Sequence, residues 1–180
     1  MTALPYDMSH IQTLLAGPES ARALLRYVVR GLNRDVGSKL TSASIFDLEN
    51  MRSRRIHSDN SEAYPVGNYK QIDRNLFFTT VLENAQPFVT SRIEQIAEVF
   101  FDWRKIQALG FESNMNLPAV VDGKVIGTIN MLAPAGHFTG EKIAAALAWQ
   151  PIVTLCFLLT ARDETLTASV PEADAVMERA

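Results

Sequence analysis

Four small polar side chains crowd one part of the chain. Asn114, Asn116, Thr128 and Asn130 sit at even spacings in two apolar segments either side of Asp122-Gly123. Alternate positions of a strand share a face, so each segment can present its amides and hydroxyl together. Groups of this kind bind by hydrogen bonding. A buried amide left unpaired costs about 1–3 kcal/mol. Its partner can be a bound small molecule, ordered water or loop backbone. Tyr69 and Trp103 are candidate aromatic walls for such a site, and each fits plain core packing as well.

The other chemistry-bearing types do not assemble. His10, His57 and His137 lie far apart and share no ligand spacing with a cysteine, so no zinc site is expected. No nucleophile elbow, phosphate loop or dinucleotide fingerprint occurs, and no carboxylate pair is spaced for acid–base work. Cys156, the single cysteine, stands among Val153, Leu155, Phe157 and Leu158. Apolar surroundings raise a thiol's pKa, so a buried, inert thiol is expected. No catalytic residues are assigned, no cofactor is identified, and a non-enzymatic role is favoured.

Composition narrows the class further. A chain of 180 residues, 47% of them hydrophobic, suits one domain with a sizeable core and no staple. One thiol and no signal-like N-terminus point to the reducing cytoplasm. The net charge of −3 leaves Arg52, Arg54 and Arg55 as the one basic cluster, read as a solvated sheet edge. Direct nucleic-acid binding is not expected. Residues 143–161 are apolar but include Gln150 and Pro151, so a buried helix is expected and no membrane partner.

The elements that must position the polar group follow from periodicity and punctuation. Residues 8–33 read as helical, with Ala21, Leu24, Leu25, Val28 and Leu32 on one face and a break at Gly17-Pro18. Residues 41–48 and 51–58 form a hairpin through Glu49-Asn50, and 58–67 is a loop. A short helix follows, capped by Asp73 and stapled by Ile72 on Phe77, then a strand over 87–90. Ser91 and Glu94 form a capping box for a helix ending at Gly110. A second hairpin covers 113–132, and Phe138-Thr139 open a final helix that Pro151 kinks or breaks. The order implies a mainly antiparallel sheet with helices on both faces. Residues 1–17 are a partly helical extension, 18–162 the domain, and 163–180 an acidic, mobile tail.

The second hairpin can pair in two ways. A two-residue type I′ turn at Asp122-Gly123 puts Asn116 and Asn130 on opposite faces. A three-residue loop with a bulge at Gly123 sets Val120 against Lys124, Asn114 against Asn130 and Asn116 against Thr128. The bulged register is the more consistent. It gathers Met115, Leu117, Ala119, Val125, Gly127, Ile129 and Met131 on one apolar face for the terminal helices. The polar four then share the other face with Pro118, Val120 and Ile126.

The segment Phe111 to Leu132, FESNMNLPAVVDGKVIGTINML, resembles the part of GAF domains in which a serine opens a strand, a proline closes its apolar run and a glycine turn leads into a V-I-G strand. The matching positions are Ser113, Pro118, Gly123 and Gly127, flanked by Leu109-Gly110 and Phe138. The resemblance covers roughly 18–162, with its informative part at 109–138. It implies a GAF-like, profilin-like three-layer α/β/α fold with a five- to six-stranded, mainly antiparallel sheet. Terminal helices would lie on one side, a ligand cavity on the other, and the terminal helices often dimerise. The chain lacks the N-K-x-F-x-D-E signature of the cyclic-nucleotide branch. Cys156 is misplaced for bilin attachment, and one thiol cannot complete the cycle of the free methionine-(R)-sulfoxide reductases. The leading expectation is a stand-alone sensory or regulatory domain, binding an unknown small molecule as a homodimer. The alternatives are a thiol-dependent reductase and a protein-interaction or transcription-regulatory subunit with a vestigial pocket.

Overall fold

The computed structural model describes residues 3–167 and 177–178, with side chains through 163. Helices α1 (Met8–Ala16) and α2 (Ser20–Val36) lead into strands β1 (Leu40–Asp47), β2 (Arg52–Ser58) and β3 (Tyr69–Gln71). A π-helical turn (Phe78–Glu83), β4 (Phe88–Thr90), α3 (Ile93–Ala97) and α4 (Trp103–Ala108) follow. The hairpin β5 (Ser113–Val121) and β6 (Lys124–Ala133) then precedes α5 (Gly140–Thr167) and β7 (Met177–Glu178). The sheet runs β4-β5-β6-β1-β2-β3-β7. Its first six strands are antiparallel, and β7 joins β3 in parallel. This is the three-layer α/β/α fold expected from the sequence.

The larger core lies between the sheet and the terminal helices. Leu24, Val28 and Leu32 of α2, with Trp149, Val153 and Phe157 of α5, pack onto Met115, Leu117, Ile129 and Met131. Residues 140–163 are long and apolar enough to cross a membrane by length and composition alone. Here that stretch packs on α2 and β5. It passes Pro151 without a break. Pro151 and Leu147, whose carbonyl a proline at i+4 leaves unpaired, both lie on the exposed side.

Several local expectations need correction. The middle helix is a π turn capped by Asn75, whose Oδ1 accepts from the Phe77 and Phe78 N–H groups, and Asp73 does not cap it. The expected single helix after Ser91 is split into α3 and α4. There Gln95, not Glu94, reaches back to the Ser91 N–H at 2.8 Å. The three-residue β3 was not foreseen, and it places β2 inside the sheet. Arg52, Arg54 and Arg55 therefore do not form a solvated edge, and Arg55 is only 8% exposed. Of the tail expected to be mobile, 163–167 continue α5 and Met177–Glu178 form β7. The rest lies outside the described residues.

The hairpin register differs instructively from both alternatives. The turn is the two-residue one, with Asp122 and Gly123 at φ 50° and 73°, and Val121 pairs Lys124. The extra residue sits further on, where Val120 pairs Val125 but Ala119 pairs Gly127, leaving Ile126 as the bulge. Asn116 thus faces Asn130, Pro118 faces Thr128 and Asn114 faces Leu132. These partners lie two residues from the expected ones, so the face of each polar group is unchanged. Val125 and Ile126 exchange faces. Val125 packs with Val81, Phe88 and Val99 beneath the middle helices, and Ile126 packs on the terminal-helix core.

Two carboxylates tie α2 to its surroundings. Hydrogen bonds from Arg34, aided against desolvation by the Trp149 indole, hold Asp35 below the ordinary carboxylate range. Burial pushes Asp59 up, but hydrogen bonds from His57, Asn33 and the Thr41 N–H outweigh it and leave it lowered. A folded-state pKa below the unfolded value stabilises fully above the unfolded pKa, near 4, and that contribution fades as pH falls through the folded pKa. The melting temperature should therefore hold down to about pH 5 and drop below about pH 4. Asp35→Asn and Asp59→Asn should each flatten the acid limb in circular-dichroism melts. Unchanged acid limbs would refute the assignment.

Candidate functional site

On the side of the sheet away from the terminal helices lies a cavity of about 120 Å³. Its floor is cut by strand alternation. Ser42 and Ser44 of β1, Asn114 and Asn116 of β5, and Thr128 and Asn130 of β6 all point into it. Phe77, Val99, Phe100 and Phe101, from the π turn and the α3–α4 segment, form the roof, with Tyr64 and Lys70 at the β2–β3 end. A dry cavity of about 150 Å³ can hold a benzene molecule, so this space suits a small organic ligand or a few waters.

The floor is one hydrogen-bonded chain across four strands. Thr90 Oγ1 donates to Asn114 Oδ1 at 2.6 Å, and Asn114 Nδ2 donates to Asn116 Oδ1 at 2.5 Å. Asn116 Nδ2 donates to Asn130 Oδ1 at 2.8 Å, where Thr128 Oγ1 also donates at 2.7 Å. Asn130 Nδ2 then reaches Ser42 Oγ and Ser44 Oγ at 3.5 and 3.4 Å. The amides therefore do not need a ligand to complete them, contrary to the expectation from burial alone. They satisfy one another and run in one direction, donors toward β1. Such chains polarise cooperatively in a low dielectric.

Two charged groups stand at the β2–β3 end. Arg55 Nη1 donates to the Pro65 carbonyl at 2.9 Å, with its guanidinium 5.0 Å from the Tyr64 ring centre. Lys70 Nζ donates to Asp102 Oδ1 at 3.0 Å and lies 4.5 Å from the Phe101 ring centre. Sequence reasoning missed Arg55, Lys70, Ser42 and Ser44. Their alternation in β1 to β3 was a usable signal only with β3 in view.

Neither expected aromatic wall lines the cavity. Lys70 faces inward, so its neighbour Tyr69 faces the other way, under the Arg52 guanidinium at 4.1 Å. Trp103 borders the cluster of Ile93, Ile96 and Ile106, with Arg104 4.9 Å from its ring. Phe77 and Phe100 supply the aromatic surface instead, their rings 5.5 Å apart.

Cys156 sits across the sheet from the cavity, fully buried, its Sγ 3.8 Å from the Ala21 carbonyl. Burial pushes its thiol up to about 12. At pH 8 the folded protein should react with Ellman's reagent at least 100-fold more slowly than in 6 M guanidinium. Comparable rates would mean that α2 and α5 part readily. Among the described residues, no group of three or more His, Cys, Asp or Glu side chains could hold a metal ion.

No protein-family model matches the chain, and no curated protein does. Solved structures do. The GAF domain of a phosphoenolpyruvate-protein phosphotransferase from Coxiella burnetii superposes with a TM-score of 0.64 at 16% identity, over 90% of this chain and 94% of that one. The GAF domain of a two-component sensor histidine kinase from Bacillus halodurans gives 0.65 at 12% identity, over 79% and 96%. A free methionine-R-sulfoxide reductase from Neisseria meningitidis, solved with its substrate, gives 0.57 at 10% identity, over 85% and 86%. A helix–sheet–helix domain with a polar-floored cavity under its middle helices is the class these features define. Its fold is that of the GAF domains.

Proposed function

We propose that this chain is a non-catalytic sensory or regulatory domain that binds a small molecule in the cavity beneath the middle helices, and that it acts as a homodimer. The observation that carries the reading is the cavity floor, where a continuous run of amides and hydroxyls faces open space under an aromatic roof. Buried polar chains of this length are costly to assemble unless they are fully satisfied. Their placement in a hollow, and not under hydrocarbon, fits recognition. The fold's occurrence in a sensor kinase and in a phosphotransferase supports a regulatory role.

The dimer surface would be the opposite layer. Met8 and Leu15 of α1 and Leu147 and Leu158 of α5 are large, apolar and exposed. Native mass spectrometry of freshly purified protein tests both halves. The expected result is a dimer at micromolar concentration carrying a small-molecule adduct that denaturation releases. A bare monomer, with no compound from a metabolite panel raising its melting temperature, would overturn the reading.

A further inference from the structure

We infer that the cavity takes a small carboxylate, its anionic end against Ser42, Ser44 and Arg55 and its apolar body under Phe77 and Phe100. The inference rests on the small-molecule reading above and narrows it to a ligand class.

The polarity of the floor carries it. Asn130 Oδ1 already accepts two hydrogen bonds, from Asn116 and from Thr128, so both of its lone pairs are used. Its amide hydrogens turn to the oxygens of Ser42 and Ser44. A hydroxyl that accepts there has its own hydrogen left to give. Neither serine donates to any acceptor among the described residues, and Ser42 is more than nine-tenths buried. The β1 end of the cavity thus presents two uncommitted hydroxyl hydrogens, while the amide oxygen beside them has no lone pair left to accept with.

Charge reinforces this. Arg55 is the strand partner of Ser44 and also lines the cavity. The carboxylates that line the cavity belong to its rim and roof. Asp102 is engaged by Lys70, and Asp73 stands exposed. A carboxylate is acceptor-only with about four lone-pair sites, which matches two hydroxyl hydrogens beside a guanidinium. Charge-assisted hydrogen bonds of this kind are short and strong. The rest of the space is bounded by Leu40, Leu132, Val99 and the phenylalanines. That lining and a volume near 120 Å³ suit a short aliphatic or single-ring body.

The test is calorimetric titration of the full chain at pH 7.5 with butyrate, 4-methylpentanoate and benzoate, each against its primary amide. At least one acid should bind below 10 mM and at least tenfold tighter than its amide. Ser42→Ala/Ser44→Ala should weaken it at least tenfold, with the protein still folded at pH 7.5 though its urea midpoint falls as the Asn130 amide loses its acceptors. Ser44→Ala alone serves if the double variant is unstable, with a loss of at least threefold. Equal binding of acid and amide, or full affinity in the serine variants, would overturn the inference. So would no binding by any acid together with no acid among molecules released on denaturation. A retained neutral or cationic molecule would refute the carboxylate while leaving the cavity reading intact. No retained molecule and no binding would remove both.

Discussion

Replacing Trp149 by alanine is expected to lower the unfolding free energy by about 3–5 kcal/mol, the range for emptying a large buried aromatic site. Trp149 is fully buried where α5 crosses α2, its indole N–H donating to Asp35 at 2.9 Å. Tyr6 and Tyr27 pack on the ring with centroids 5.5 and 5.6 Å away, so the N-terminal segment depends on it too. The fit is close on the α2 side. A Cβ on Gly31 would stand 2.1 Å from the indole, so only glycine lets the two helices approach this far. Trp149→Phe should keep most of the packing and lose about 1–2 kcal/mol through the lost indole hydrogen bond to Asp35, which Arg34 still holds, and the smaller ring. Urea unfolding followed at 222 nm reads both variants. A loss under 1 kcal/mol for the alanine variant would mean that α1, α2 and α5 are not locked through this ring.

The second large effect is at the centre of the amide chain. Asn130→Leu should cost about 2–4 kcal/mol and abolish retention of any cavity ligand. It removes the acceptor shared by Asn116 Nδ2 and Thr128 Oγ1. Each orphaned buried donor costs about 1–3 kcal/mol, less wherever water in the cavity can replace the partner. Asn116→Leu should cost less, because Asn130 Oδ1 then keeps Thr128 and only the Asn114 amide loses its acceptor. The order Asn130 above Asn116 comes from the direction of the chain, and urea midpoints of the two variants read it. The reverse order would mean that the amides are oriented the other way.

Much of the fold was legible because its signals are local. The apolar stripe of α2 and the Asp122-Gly123 turn each speak through a few adjacent residues. The faces of the second hairpin were also legible, since burial pattern fixes face even where the pairing partner is off by two. The bulge itself was not. Ile126 gives no sequence sign of being the extra residue, and a glycine in the turn was the more obvious candidate. The middle layer was hardest to read. The π turn, the split of α3 from α4 and the three-residue β3 are shorter than any period that a pattern can reveal. The candidate site shows the same division. Its four floor residues stand out by spacing within one hairpin. Ser42, Ser44, Arg55 and Lys70 reach it only through the pairing of β1 with β6 and of β2 with β3. The satisfaction of the amides by one another was likewise invisible, because it depends on contacts such as Asn130 to Ser42, 88 residues apart.

Difference electron density in crystals of protein purified without denaturation would settle most directly whether this hollow is a binding site. The account predicts a feature of several non-hydrogen atoms lying under Phe77 and Phe100, within hydrogen-bonding reach of Ser44 Oγ. A cavity containing only water, or one closed by the phenylalanines descending onto the amides, would contradict it.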